Sequence, residues 1–121
     1  MQEIIIGLEG QTRDLNDLAF SLFEAGMLRE GLEKETPGDI TIVLKPMQLR
    51  KGVGHAIIEI GLYAGQNVAL PLFLAWLYDK WKKAGKKPIS IKIENHFYQF
   101  DPDLLTKAIQ DAISKQTKND K

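Results

Sequence analysis

The first apolar run, Glu3–Leu8, carries Ile4, Ile5 and Ile6 and is closed by Gly7-Leu8-Glu9-Gly10. Such a β-branched segment predicts a short buried strand followed by a turn. Thr12 then suits a helix N-cap, and Asp14 suits the first turn, where the helix dipole favours a negative charge. Leu15, Leu18, Ala19, Leu22 and Phe23 recur at the three-and-four spacing of an amphipathic helix, and Gly26 lets that helix stop. The acidic stretch from Arg29 to Gly38 reads as a connection, and Ile40–Leu44 as a second strand stopped by Pro46.

From Gly52 to Tyr78 the chain is apolar apart from His55, Glu59, Gln66 and Asn67. A bilayer span needs about 20 apolar residues, and one acid near its centre costs ~2.5–3.5 kcal/mol. Only Val68–Tyr78 lacks polar side chains, which is too short to cross. The segment therefore predicts a core helix, broken or kinked between Gly65 and Pro71, covered by a sheet on one side and by helices on another.

Ile89-Ser90-Ile91-Lys92-Ile93-Glu94 alternates strictly, the signature of a half-buried strand. Asn95-His96 turns it back into Phe97–Phe100, since Asn tolerates the positive φ of a tight hairpin. Asp101-Pro102-Asp103 supplies an N-cap, a proline at the first helical position and an acid in the first turn. Leu104, Leu105, Ala108, Ile109, Ala112 and Ile113 form the stripe of a last helix, and the polar residues from Lys115 on are expected to fray. The order β-α-β-α(α)-β-β-α predicts an α/β (α+β) two-layer sandwich: a small mixed sheet of about four strands against three to four helices. One domain over 1–116, with a polar tail at 117–121, fits a chain of 121 residues.

Composition adds exclusions. The absence of cysteine removes disulfides, thiolate catalysis and cysteine-ligated metals. Sixteen bases against sixteen acids give no basic excess of the kind that nucleic-acid binding uses. The balance is uneven along the chain. Residues 1–40 hold nine acids and three bases, net −6, whereas residues 41–100 hold nine bases and three acids, net +6. Complementary charge of this sort selects partners and raises encounter rates. Met1 is followed by Gln2, Glu3 and the isoleucines without the basic start of a signal peptide, so a cytoplasmic location is expected.

Candidate chemistry is sparse. His55 and Glu59, four apart, would share one face of a helix in the geometry of a two-point metal site. A third ligand is missing nearby and His96 sits in the expected hairpin turn, so no metal is expected. Ser21, Ser90 and Ser114 fall within predicted elements rather than in a nucleophile elbow, and no cofactor or catalytic residue is expected. Gly7-Leu8-Glu9-Gly10 and Lys51-Gly52-Val53-Gly54 match no phosphate fingerprint. Lys51 beside Gly52 and Gly54 makes the second loop the better anion candidate.

The main surface feature is Lys80-Trp81-Lys82-Lys83-Ala84-Gly85-Lys86-Lys87. Its lysines suit a helix end, and they also suit an acidic partner or anionic headgroups. The order of elements, the apolar helix ending in Leu74-Ala75-Trp76-Leu77 and the basic residues after it make the chain resemble the effector-associated constant component family over about residues 3–115. Tyr78-Asp79 intervene before the basic run, and lysines stand where that family has arginines. Members of the family are small adaptor domains encoded in bacterial conflict or defence systems beside effectors such as caspase-like or trypsin-like proteases. The resemblance implies a non-enzymatic interaction module that binds a nearby-encoded effector or assembles with itself, and the basic run itself offers Lys80, Trp81, Lys82, Lys83, Lys86 and Lys87 as the expected contact. The alternative is a peripheral membrane protein docking through residues 74–87.

Overall fold

The computed structural model describes residues 3–50 and 55–119. Six strands, β1 (Glu3–Gln11), β2 (Glu33–Thr36), β3 (Ile40–Arg50), β4 (His55–Ala64), β5 (Ser90–Ile93) and β6 (His96–Tyr98), form one sheet in the order β2-β3-β4-β1-β5-β6. Helices α1 (Thr12–Phe23), α2 (Leu70–Lys83) and α3 (Pro102–Asn119) cover one face. The α+β two-layer class holds, but every strand pair is antiparallel, and the sheet is larger than the mixed four-strand sheet expected above.

The largest correction concerns residues 55–64, which form strand β4 rather than part of a broken core helix. Ala56, Ile58, Ile60 and Leu62 alternate into the core, while the opposite face adds Ile57, Gly61 and Tyr63 and is broken only by His55 and Glu59. An apolar run on both faces has no visible period, so length and β-branching alone separate buried strand from buried helix. β4 pairs with β1 over nine positions, from Glu3↔Tyr63 to Gln11↔His55. The helix proper begins only at Leu70, with Pro71 at its start, where a proline costs no hydrogen bond.

Smaller corrections have local causes. Pro46 does not stop the strand. β3 carries it in a bulge, where Lys45 and Pro46 together oppose the stretch between Ile58 and Ile60, and a bulge needs no ladder donor there. Gly7 to Gly10 lie inside β1, and α1 is capped by Gln11, with Thr12 the first helical residue. Helix α1 ends at Glu24, which takes the left-handed conformation at φ 50°, before Gly26 is reached. The connection from Arg29 to Gly38 contains edge strand β2, paired Glu33↔Val43 and Thr36↔Ile40. The β5–β6 turn is Glu94-Asn95, both at positive φ, one residue earlier than the expected Asn95-His96.

The remaining elements match their periodicity. Helix α1 buries Leu15, Leu18, Ala19, Leu22 and Phe23; α2 buries Leu70, Phe73, Leu74 and Leu77; α3 buries Leu105, Ala108, Ile109 and Ala112. The Asp101 carboxylate accepts the N–H groups of Asp103 (3.0 Å) and Leu104 (3.3 Å), capping α3 as expected. The β2–β3 turn is clasped to the β4–α2 link: Gly65 N–H donates to the Asp39 carbonyl (2.8 Å), Ala69 N–H to the Gly38 carbonyl (2.9 Å), and Asn67 N–H to the Asp39 carboxylate (2.9 Å).

Candidate functional site

The basic segment divides into structural and outward-facing residues. Leu74 and Leu77 lie in the core, and Trp76 is half-buried with its ring 5.9 Å from Phe73. Trp81 stacks on Phe100 at 4.5 Å with the planes 2° apart, and its indole N–H donates to the Lys87 carbonyl at 2.8 Å. That contact ties the end of α2, the chain leaving it and the entry to α3 together, so Trp81 is an anchor rather than a contact surface. Lys80 is also inward, 16% exposed at its side chain and paired with Glu24 at 3.1 Å. Trp76 and Tyr78 are half-buried, so part of each ring faces outward.

Lys82, Lys83 and Lys86 are exposed and Lys87 is half-buried. The end of α2 is closed by its own backbone: Ala84 N–H donates to the Lys80 carbonyl, Gly85 N–H to Lys82 and Lys86 N–H to Trp81, with Gly85 and Lys86 both at positive φ. Lys80, Lys82 and Lys83 stand in the last turn of α2, where the negative end of the helix dipole favours cations. Lys83 pairs with Asp79 at 3.1 Å, and Lys82 lies 5.6 Å from the Tyr78 ring centre. Among the described residues Lys82, Lys86 and Lys87 have no carboxylate within ion-pair distance. Tyr78 and Lys82 continue into a groove of about 640 Å³ between α2 and α3, lined also by Pro71, Ala75, Asp79, Asp103 and Lys107.

The second surface is the sheet face that carries no helices. Strand alternation and register place Glu3, Ile5 and Glu9 of β1 there, with Ile57, Glu59 and Tyr63 of β4, Thr41, Val43 and Lys45 of β3, Lys92 of β5, and Glu33 and Glu35 of β2. Five carboxylates thus face two ammonium groups among these residues. Tyr63 O–H donates to the Glu3 carboxylate, which Lys45 meets at 2.8 Å. The Lys45 and Tyr63 bonds hold the Glu3 carboxyl below its ordinary range, and the same carboxylate raises both Lys45 and Tyr63. Gly61 makes room for them, since a Cβ there would lie 2.5 Å from Glu3 Oε2 and 3.1 Å from Lys45 Cε.

Folding consumes part of the charge segregation seen along the chain. Glu24, at the end of α1, accepts from Lys34 (2.8 Å) and Lys80 (3.1 Å), and the two ammonium groups bring its carboxyl down to about 2.

The other expected candidates separate. Lys51, Gly52 and Gly54, the anion loop, lie outside the described residues. His55 and Glu59 sit on a strand, where four residues span about 13 Å, so they do not form the two-point site that a helix would have made. Among the described residues no group of three or more His, Asp or Glu side chains is placed to hold a metal. Among them, too, no helix is long and apolar enough to cross a membrane. Sequence reading missed the acidic sheet face because its carboxylates come from three strands, β1, β2 and β4. Its only linear trace was Glu33-Lys34-Glu35, an alternating charge pattern inside a presumed loop. No protein-family model matches the chain, and neither a curated protein nor a solved structure does.

Proposed function

We propose that the protein is a non-enzymatic adaptor, an interaction module that docks an effector enzyme or copies of itself through the lysine end of α2. The observation that carries this reading is the division of labour at that end. Lys80 and Trp81 are committed to the fold, while Lys82, Lys83, Lys86 and Lys87 are displayed around it, three of them without a carboxylate partner among the described residues. A platform presenting unpaired cations suits an acidic protein surface, because fixed charges select the partner, and the apolar side chains of Pro71, Ala75 and Tyr78 in the adjoining groove add contact area. The likeness to effector-associated constant components supports a protease-like effector encoded nearby as the partner.

Replacing Lys82, Lys83, Lys86 and Lys87 by glutamate tests this. The fold should survive, since exposed ion pairs contribute only ~0–1 kcal/mol each. Co-elution with the product of an adjacent gene, or self-association, should be lost at low salt, where screening is weakest. A folded quadruple variant that associates as well as the parent overturns the reading, as does a parent that binds no neighbouring product and stays monomeric.

A further inference from the structure

We infer that the acidic partner of the lysine end is the helix-free sheet face of a second copy of the same chain, giving head-to-tail association. This rests on the reading above, and it names the partner. The chain carries equal numbers of acids and bases, and folding sorts them onto different sides of the molecule. The helix-free face gathers Glu3, Glu9, Glu33, Glu35 and Glu59 against Lys45 and Lys92, while the end of the helix layer gathers Lys82, Lys83, Lys86 and Lys87. Glu33 and Glu35 on β2 have no cationic partner among the described residues, matching Lys82, Lys86 and Lys87 at the other site.

The face has the anatomy of an interface. Ile5, 44% exposed, and half-buried Val43, Ile57 and Tyr63 give it apolar area, Glu59 and Lys92 flank Gly7 near its middle, and Glu33 and Glu35 stand at its β2 edge. Apolar side chains interleaved with charges, bounded by acids at one edge, are a surface that a charged partner can cover. Six strands at about 4.8 Å spacing make the face about 24 Å wide, and nine residues of β1 make it about 30 Å long. That is roughly 700 Å², close to the ~800 Å² that each partner buries in a standard interface. Lysine is suited to such a surface, because its methylene stem covers apolar side chains while its ammonium reaches outward to a carboxylate.

Charge also selects the arrangement. Two sheet faces laid against each other would oppose like charge among the described residues, Glu33 and Glu35 of each copy included. A symmetric pair would need face and lysine end on one side of the molecule, but the sheet lies between them. The contact that remains is heterologous, and it extends to further copies unless the rotation closes a ring.

Neutralising variants test this without creating new attractions. K82Q/K83Q/K86Q/K87Q keeps only the acidic face, and E33Q/E35Q keeps only the lysine end intact; all six positions are surface side chains, and far-ultraviolet circular dichroism checks the fold. In sedimentation velocity at low salt the parent should show a mass that rises with concentration and returns to the monomer at high salt. Each variant alone should associate about tenfold more weakly or worse. An equimolar mixture of the two should form a 1:1 dimer and nothing larger, since it holds one working face and one working end. Three results overturn the inference: a monomeric parent at low salt, an E33Q/E35Q variant that assembles like the parent, or a mixture that stays monomeric while the parent assembles. A monomeric parent whose binding to an adjacent gene product is lost on lysine reversal would refute this inference alone and leave the docking reading standing.

Discussion

Replacing Gly38 by alanine should unlock the clasp between the β2–β3 turn and the start of α2. Gly38 has φ 86°, and a Cβ there would overlap the Ala69 carbonyl oxygen and lie 3.2 Å from the Phe73 nitrogen. The left-handed conformation costs a residue with a Cβ about 1–2 kcal/mol. Relieving the overlap requires the turn to move off Ala69, whose oxygen receives Leu72 N–H at 3.1 Å and whose own N–H donates to Gly38 at 2.9 Å. Losing that last bond costs ~0.5–1.5 kcal/mol. Alanine restricts the unfolded chain and returns ~0.4–1 kcal/mol. The net loss is about 2 kcal/mol, a fall in melting temperature of roughly 6–10 °C for a domain of this size. Gly31→Ala is the control, because Gly31 has φ 88° but nothing within 4 Å of the added carbon. It carries the backbone cost without the overlap, so it should lose only about half as much in calorimetry or urea titration. Equal losses for the two variants would refute the clasp as a source of stability.

The Glu24 carboxyl, held at about 2 by Lys34 and Lys80, is depressed on folding, so its contribution is present above its ordinary range near 4.5 and fades as pH falls towards 2; the melting-temperature gap between parent and Glu24→Gln should therefore close over that window, and a pH-independent gap would contradict it. Trp81→Ala should cost about 2–3 kcal/mol in urea unfolding, because it removes a ring stacked on Phe100 and the bond to Lys87; a loss no larger than that of Lys82→Ala would mean that the ring is a surface contact after all. Asn95→Val places a β-branched residue at φ 69° and should destabilise the β5–β6 hairpin by roughly 1 kcal/mol, with an unchanged melting temperature as the contrary result.

Elements with one wet face were legible in the sequence. Helices α1 and α3 and strand β5 each show a single apolar stripe, and the structure buries most of the stripe residues, leaving Leu104 of α3 52% exposed and Ile113 half-buried. β4 was hard to read, because Ile57, Gly61 and Tyr63 on one face and Ile58, Ile60 and Leu62 on the other leave only His55 and Glu59 to mark the period. β2 was hidden for the opposite reason: Glu33-Lys34-Glu35-Thr36 has no apolar face, and it is a strand only because β3 offers it a ladder at the sheet edge. At the candidate site the lysines were visible as a run, but their division was not. Lys80 and Lys82 are alike in sequence, and only the position of Glu24, 56 residues away from Lys80, makes one structural and leaves the other displayed.

By itself, then, the sequence determined what local physics sets: helix periodicity, the Asp101-Pro102 cap, the two-layer class and the balance of charge. The tertiary structure decided what depends on distant partners: the pairing that turns 55–64 into a strand, the antiparallel order of six strands, and the sorting of acids and lysines onto separate surfaces. The physical reason is range, since capping and helical spacing act within about four residues, whereas a strand's partner and a charge's neighbour are fixed only when the chain closes on itself.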